Sequence, residues 1–316
     1  MNLFNQFFET NDVFIIAEIG KNFIQTEEEQ SVETYLENAK ALIDSAVDSG
    51  VDAVKFQTHN YEDEQLNVHI KSPHFSSSDR YSWVKRNTNS TPLFFWEKLE
   101  KYCSSKGILF FSTPMSRNAA RKISHLVPFW KVGSGDVQDY LLLNELIKTK
   151  KQIIISTGMV SLSELDKLVK YFYKNNSQVC ILYCVSKYPC SKEEFNLSTI
   201  NFLKEKYTNS IIGFSDHSMG YSSSLAAVRF GARVIEKHFS LDRNLWGSDH
   251  KVSMEPKEMK EMVDAIRSKV FEKNDYRGFY GDIEKELEGA NNEFRPFFEK
   301  KIVAAEDLPK GTNLTE

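Results

Sequence analysis

Eight short runs rich in Ile, Val and Phe recur along the chain, and each is followed by a longer stretch of helical periodicity. The runs are FIIAEIG (14–20), DAVKFQT (52–58), ILFFST (108–113), WKVGSG (130–135), QIIIST (152–157), VCILYC (179–184), SIIGFS (210–215) and RVIEKHF (233–239). Short, nearly continuous apolar runs of this kind read as strands covered on both faces, as in parallel sheets crossed by helices. The intervening stretches carry helix punctuation. VETYLENAKALIDSAVDSG closes on Gly50, and SLSELDKLVKYFY opens on Ser161 with Glu164 three residues on, the spacing of a capping box. Strand then helix, eight times over, predicts an α/β fold of the (β/α)8 TIM-barrel type. An open doubly wound sheet is the competing topology, since strand count does not establish closure. The absence of G-x-G-x-x-G after the first run speaks against it.

The chain of 316 residues accommodates such a barrel, which needs ~250. We expect the barrel over residues 1–270 and a short C-terminal linker and tail over 271–316. The tail, RPFFEKKIVAAEDLPKGTNLTE, reads as an alternating strand followed by a Lys-Gly turn, the opening of a further β-rich module. Between Gln57 and Leu93 lies a connection far longer than the usual few residues, polar and aromatic with little periodicity; such segments commonly cover binding sites. A net charge of −4 gives no basic field for nucleic acid or anionic lipid, so neither is an expected partner. No apolar run approaches the ~20 residues that span a bilayer, and the N-terminus lacks the pattern of a signal peptide, so a cytoplasmic location is expected. Cys103, Cys180, Cys184 and Cys190 lack zinc-site spacing and read as reduced thiols.

Chemistry in such barrels sits at the C-terminal ends of the strands. This sequence places there Glu18, Lys55, Gln57, Ser112, Thr113, Lys131, Ser134, Asp136, Ser156, Thr157, Ser186, Ser215, Asp216, His217, Glu236, Lys237 and His238. Buried polar groups left unpaired cost about 1–3 kcal/mol each, so their convergence points to a polar ligand. His217 and His238 end neighbouring strands, within reach of one divalent ion; two polar-site histidines without metal are the alternative. Of the other histidines, His69, His74 and His125 read as surface residues, whereas His59 and His250 do not. Lys55 and Lys131, among hydroxyls of Thr113, Ser134, Ser156, Ser186 and Ser215, suit a small multiply charged anion. A salt bridge or a Schiff-base lysine are the other readings of those amines.

Eight motifs together resemble the sialic acid synthase family: AEIGKN (17–22), DAVKFQT (52–58), FFSTPMSR (110–117), KVGSGD (131–136), ISTGM (155–159), IGFSDHSMG (212–220), ARVIEKHFSLDR (232–243) and SDHKVSMEPKEM (248–259). The resemblance spans residues 12 to 270. It implies a (β/α)8 barrel followed by a small antifreeze-like domain, of which 271–316 would be the linker and beginning, and a homodimer as the assembly. It also implies condensation of phosphoenolpyruvate with an N-acetylmannosamine-like 2-acetamido sugar to a nonulosonic acid, with a divalent metal, Mn2+ or Mg2+, as cofactor. By motif, His217 and His238 would hold the metal. Lys131, Thr113 and Ser134 would serve the phosphoenolpyruvate carboxylate, and Lys55, Ser156, Ser186 and Ser215 its phosphate. Glu18, Gln57, Tyr188 and Asp249 would face the sugar, and Asp136 stands where the family more often has Glu. Glu18, Lys55 and Lys131 are the implied catalytic groups. Two further departures are Phe23 after Asn22, where the family has His, and Tyr183 before Cys184, also His in the family. Two other functions remain open: a related phosphoenolpyruvate-dependent synthase with a sugar-phosphate acceptor, for which Arg80, Lys85 and Arg86 could form the second anion site, and a catalytically silent barrel that binds a partner.

Overall fold

The computed structural model of the chain describes residues 7, 13–68, 70–72, 75–283, 285, 291–304 and 306–313. Eight parallel strands form one sheet: β1 (Phe14–Gly20), β2 (Ala53–Thr58), β3 (Leu109–Pro114), β4 (Trp130–Val132), β5 (Ile153–Ser156), β6 (Val179–Cys184), β7 (Ile211–Asp216) and β8 (Val234–His238). Their order is β3-β2-β1-β8-β7-β6-β5-β4, and β3 and β4 meet along the closing seam, so the sheet is a nearly closed barrel. First and last strands pair directly, with Phe14 opposite Val234 and Glu18 opposite His238. The eight expected runs are these eight strands. The fourth is shorter than expected, because the Asp136 N–H turns back to the Gly133 carbonyl and Ser134 accepts from the Gly158 N–H instead of continuing the ladder.

One helix crosses over after each strand: α1 (Val32–Asp48), α2 (Leu93–Lys106), α3 (Arg117–Ile123), α4 (Tyr140–Lys148), α5 (Leu162–Lys174), α6 (Ser198–Lys206), α7 (Ser222–Arg229) and α8 (Pro256–Arg267). Their starts are written in the sequence. Ser31, Ser116 and Asp139 cap α1, α3 and α4, and Ser161 with Glu164 forms the expected capping box of α5. Helix α1 ends at Asp48, and Gly50 supplies the positive φ, +80°, that turns the chain into β2.

Strand alternation sorts the side chains into two layers. On β2, Phe56 points outward to Trp96 of α2, ring centroids 6.0 Å apart, and Phe95 and Phe23 extend the same aromatic cluster. Lys55 and Gln57, one position either side, face the barrel interior and line its cavity. The same rule separates two charges expected at the mouth. Asp216 and Lys237 form a buried ion pair, 2.9 Å, tied to Ser223 and Ser224 of α7, and so serve the interlayer packing rather than the cavity.

Two expectations about irregular segments need correction. The long connection after β2 is built: it contains a short helix (Tyr61–Glu64), a two-stranded antiparallel pair (Lys71–Ser72 with Phe75–Asp79) and a helix at Arg80–Ser90. Periodicity missed this last helix because its face is polar, yet Asp79 caps it by accepting from the Ser82 N–H. The tail carries a helix at Asn291–Phe298, with Pro296 inside it, where an alternating strand was expected; no strand occurs among the described residues beyond it. The anticipated turn at Lys310 and Gly311 is present. All four cysteines are free and buried. His59 and His250 are buried and His125 exposed, as expected, while His69 and His74 lie outside the described residues. Among the described residues no helix is long and apolar enough to cross a membrane.

Candidate active site

A cavity of about 1350 Å³, counted to its open mouth, lies at the C-terminal ends of the strands. Its floor is a charge cluster. Lys55 Nζ lies 2.5 Å from Glu18 Oε2, donates to Thr113 Oγ1 at 2.9 Å and stands 3.7 Å from Glu236 Oε2. Lys131 Nζ donates to Ser156 Oγ at 2.7 Å and stands 3.6 Å from Glu236 Oε1, which also accepts from Ser215 at 2.8 Å. Gln57 fixes the second oxygen of Glu18 at 2.9 Å. All four charged side chains are almost fully buried.

Their protonation follows from what surrounds them. Burial works to raise the Glu236 carboxyl, yet Lys131 and Lys55 hold it down at about 2. Burial raises Glu18 above the usual carboxylate range and Glu236 adds to this, against the pull of Lys55. Lys131 is lowered by burial, whereas Lys55, despite burial, is raised by Glu18 and Glu236. Two ammonium groups and two carboxylates cancel, so an anion entering this floor must bring compensating charge with it or take up a proton.

Beside the floor stand the two imidazoles, centroids 5.6 Å apart. His217 Nδ1 lies 2.9 Å from the Val185 carbonyl, which assigns its proton there and turns Nε2 into an acceptor. His238 Nδ1 is buried with no hydrogen-bond partner among the described residues, and burial, opposed by Asp249 and helped by His217 and Lys55, pushes that ring down to about 3. Burial works to lower the His217 ring, yet Cys184 and the Val185 carbonyl raise it above the ordinary imidazole value. Two imidazoles, one of them orphaned and both able to present a ring nitrogen once unprotonated, fit a divalent ion. With metal–nitrogen bonds of about 2.1 Å, rings sharing one ion lie about 5–6 Å apart between centres. No group of three or more His, Cys, Asp or Glu able to hold an ion occurs among the described residues, so remaining positions would fall to water or ligand oxygens. Tyr188 covers the pair, its ring 4.0 Å from that of His217.

Of the residues singled out from sequence, Glu18, Lys55, Gln57, Thr113, Lys131, Ser134, Asp136, Ser156, Tyr188, Ser215, His217, His238 and Asp249 all line this cavity. Ser186 does not; it lies behind Gly158, where a Cβ would collide with the Ser186 hydroxyl and crowd Ser134 and Cys184. The hydroxyl grouping also differs from the expected one: Thr113 sits on Lys55 and Ser156 on Lys131, whereas motif matching had them the other way round. Glu236, placed at the barrel mouth by its strand-end position, was given no role there, although it stands two residues before His238 on the same inward face. Cys184, 3.8 Å from His217 Nδ1, was missed. Arg80 and Trp83, from the helix unseen in the sequence, and Phe298, from the tail helix, complete the rim. Of the suggested basic cluster only Arg80 faces the cavity: Arg86 is tied to the carbonyls of Thr26, Glu27 and Glu28, and Lys85 lies over the Tyr61 and Tyr81 rings.

Asp136 illustrates the strain such a site carries. Burial raises its carboxyl to about 6, only partly offset by Lys300, 3.8 Å away. A folded-state value above the unfolded ~3.9 means the native state holds the extra proton between about pH 4 and 6. Stability is therefore lost as pH rises through that window. Asp136→Asn should raise stability by about 2 kcal/mol at pH 7.5 and by close to nothing at pH 4, as read from urea unfolding at both pH values. An equal effect at both would remove the titration as its cause.

Residues 42–274 match the model of the NeuB family. The chain is 32% identical over 308 residues to the human N-acetylneuraminate-9-phosphate synthase, covering 96% of this chain and 80% of that one. It is 32% identical to the N,N'-diacetyllegionaminic acid synthase of Campylobacter jejuni, covering 88% of this chain and 83% of that one. Among solved structures, the N-acetylneuraminic acid synthetase of Leptospira borgpetersenii, in complex with citrate, superposes with a TM-score of 0.72 at 34% identity, covering 82% of this chain and 85% of that one. The chain therefore belongs to the NeuB family, and with its sialic, legionaminic and pseudaminic acid synthase relatives it is an enzyme that forms carbon–carbon bonds.

Proposed function

We propose that this barrel condenses phosphoenolpyruvate with an open-chain 2-acetamido sugar of the N-acetylmannosamine kind, giving a nonulosonic acid and phosphate. The observation that carries the reading is the joining, in one buried floor, of two lysines bridged by Glu236 with a pair of facing imidazoles. An anion site and an aldehyde-activating site then lie side by side. Lys85 and Arg86 are engaged away from the cavity, which favours an unphosphorylated acceptor over a sugar phosphate.

In this reading Lys55 and Lys131, with Thr113, Ser134, Ser156 and Ser215, hold the carboxylate and phosphate of phosphoenolpyruvate. Gln57, Asp136, Tyr188 and Asp249 position the sugar, and Ser186 supports the wall behind Gly158. His217 and His238 would hold a divalent ion, Mn2+ or Mg2+, that supplies Lewis-acid polarisation of the sugar aldehyde. The methylene carbon of phosphoenolpyruvate attacks the aldehyde carbon, leaving positive charge on C2 and negative charge on the former aldehyde oxygen. Glu18, whose carboxyl is raised by burial, takes a proton from the water that adds at C2 and passes it to that oxygen. The C2–O bond to phosphate then breaks, and the second proton of the water leaves with the phosphate. Phosphoenolpyruvate, sugar and water thus balance acid and phosphate.

The bond that breaks is testable. In ¹⁸O-water, with the product trapped by reduction as it forms, the label should enter the C2 oxygen of the acid and be absent from phosphate. Label in the phosphate would mean P–O cleavage and overturn the sequence of steps.

A further inference from the structure

His59 follows Lys55 and Gln57 on the inward line of β2, four residues and about 13 Å above Lys55. The ladder continues to that level, with the Met115 N–H donating to the Thr58 carbonyl at 2.9 Å. The imidazole is buried and lines the cavity. Its Nδ1 faces both oxygens of Glu64, at 2.8 and 2.9 Å, and Glu64 is itself buried. Its Nε2 has no hydrogen-bond partner among the described residues. Nothing in the condensation chemistry above uses this pair.

A carboxylate on Nδ1 fixes the proton there, so Nε2 presents a lone pair. Burial lowers the ring's pKa against the pull of Glu64, with Lys21 and Arg80 adding to the lowering, and the imidazole stays neutral. A buried acceptor without a donor is costly, and a ligand that brings an O–H or N–H satisfies it. The rim is also where the part of an acceptor sugar farthest from its aldehyde must lie, since the reacting groups converge on the floor. We propose that His59, locked by Glu64, is a specificity-determining residue whose Nε2 accepts a hydrogen bond from a hydroxyl or amide N–H at the distal end of the acceptor sugar. This rests on the phosphoenolpyruvate–sugar reading. A phosphate ester at the same point offers acceptor oxygens to an acceptor nitrogen, so the dyad favours a neutral, donor-bearing end. Sites built around a buried hydrogen bond discriminate strongly against partners that cannot complete it.

The test uses the full chain with Mn2+ and phosphoenolpyruvate, against N-acetylmannosamine and a 2,4-diacetamido sugar. His59→Leu should raise the KM for the sugar the parent uses by 20-fold or more and leave the phosphoenolpyruvate KM within twofold. His59→Gln, which keeps a neutral acceptor, should recover most of that loss, and Glu64→Gln should fall between. Equal shifts in both KM values, no shift in either, or no recovery with Gln would overturn the proposal. If the parent releases no phosphate with any sugar, the condensation reading has failed on its own. The ¹⁵N resonance of His59 Nε2 then decides: movement on adding either sugar supports the assignment, and no movement with both refutes it.

Discussion

Replacing His238 by alanine lowers kcat/KM for phosphate release from phosphoenolpyruvate by about 10²–10³-fold or more, and lowers bound Mn2+ in the same measure. That is the scale on which enzymes lose rate when a group stabilising a developing oxyanion is removed. The variant should fold, since His238 Nδ1 has no hydrogen-bond partner among the described residues to leave behind. His217→Ala should lose activity equally but also cost about 1 kcal/mol of stability, because it removes one of the two hydrogen bonds to the Val185 carbonyl and leaves that from the Lys187 N–H. Metal content by elemental analysis, turnover, and urea unfolding on the same samples separate the two. Near-normal turnover with full metal content in either variant would show that the imidazoles are ordinary polar-site residues.

Lys131→Met should weaken phosphoenolpyruvate binding by about 100-fold or more, through loss of one of the two ammonium groups over the floor. Equilibrium dialysis reads this directly. Stability falls as well, because Glu236 loses the lysine that most strongly keeps it ionised and the buried carboxylate keeps only the Ser215 hydrogen bond and the more distant Lys55, at 3.7 Å. Breaking a buried ion pair from one side typically costs about 3–5 kcal/mol. The double variant Lys131→Met with Glu236→Gln should regain much of that stability and none of the binding. Binding that recovers with stability would mean Lys131 acts only as a structural counter-ion.

The barrel was legible because each strand is an apolar run of nearly the right length and the caps at Ser161 and Gly50 say where helices begin and end. The cavity floor was legible for a related reason: polar residues such as Lys55, Gln57 and Lys131 interrupt strands that otherwise need none. Glu236 and Lys237 show where this reading blurs. Both are charged and adjacent, and only the pleat decides that the first faces the cavity and the second an aspartate behind the sheet. The rim was legible as a long segment covering the site, but not in its individual residues. Arg80 and Trp83 reach it from a polar helix without an apolar stripe, and Phe298 from a tail helix that a strand-like pattern and an internal proline disguised. Contacts set by tertiary packing alone leave no local period to read.

The central claim is tested most directly by phosphate release from phosphoenolpyruvate in the presence of Mn2+, with N-acetylmannosamine, 2,4-diacetamido sugars and arabinose 5-phosphate offered separately and each product weighed by mass spectrometry. Phosphate released together with a nonulosonic acid, from one unphosphorylated acetamido sugar, is the predicted result. Release only with arabinose 5-phosphate, or none with any acceptor while metal and phosphoenolpyruvate remain bound, would contradict it.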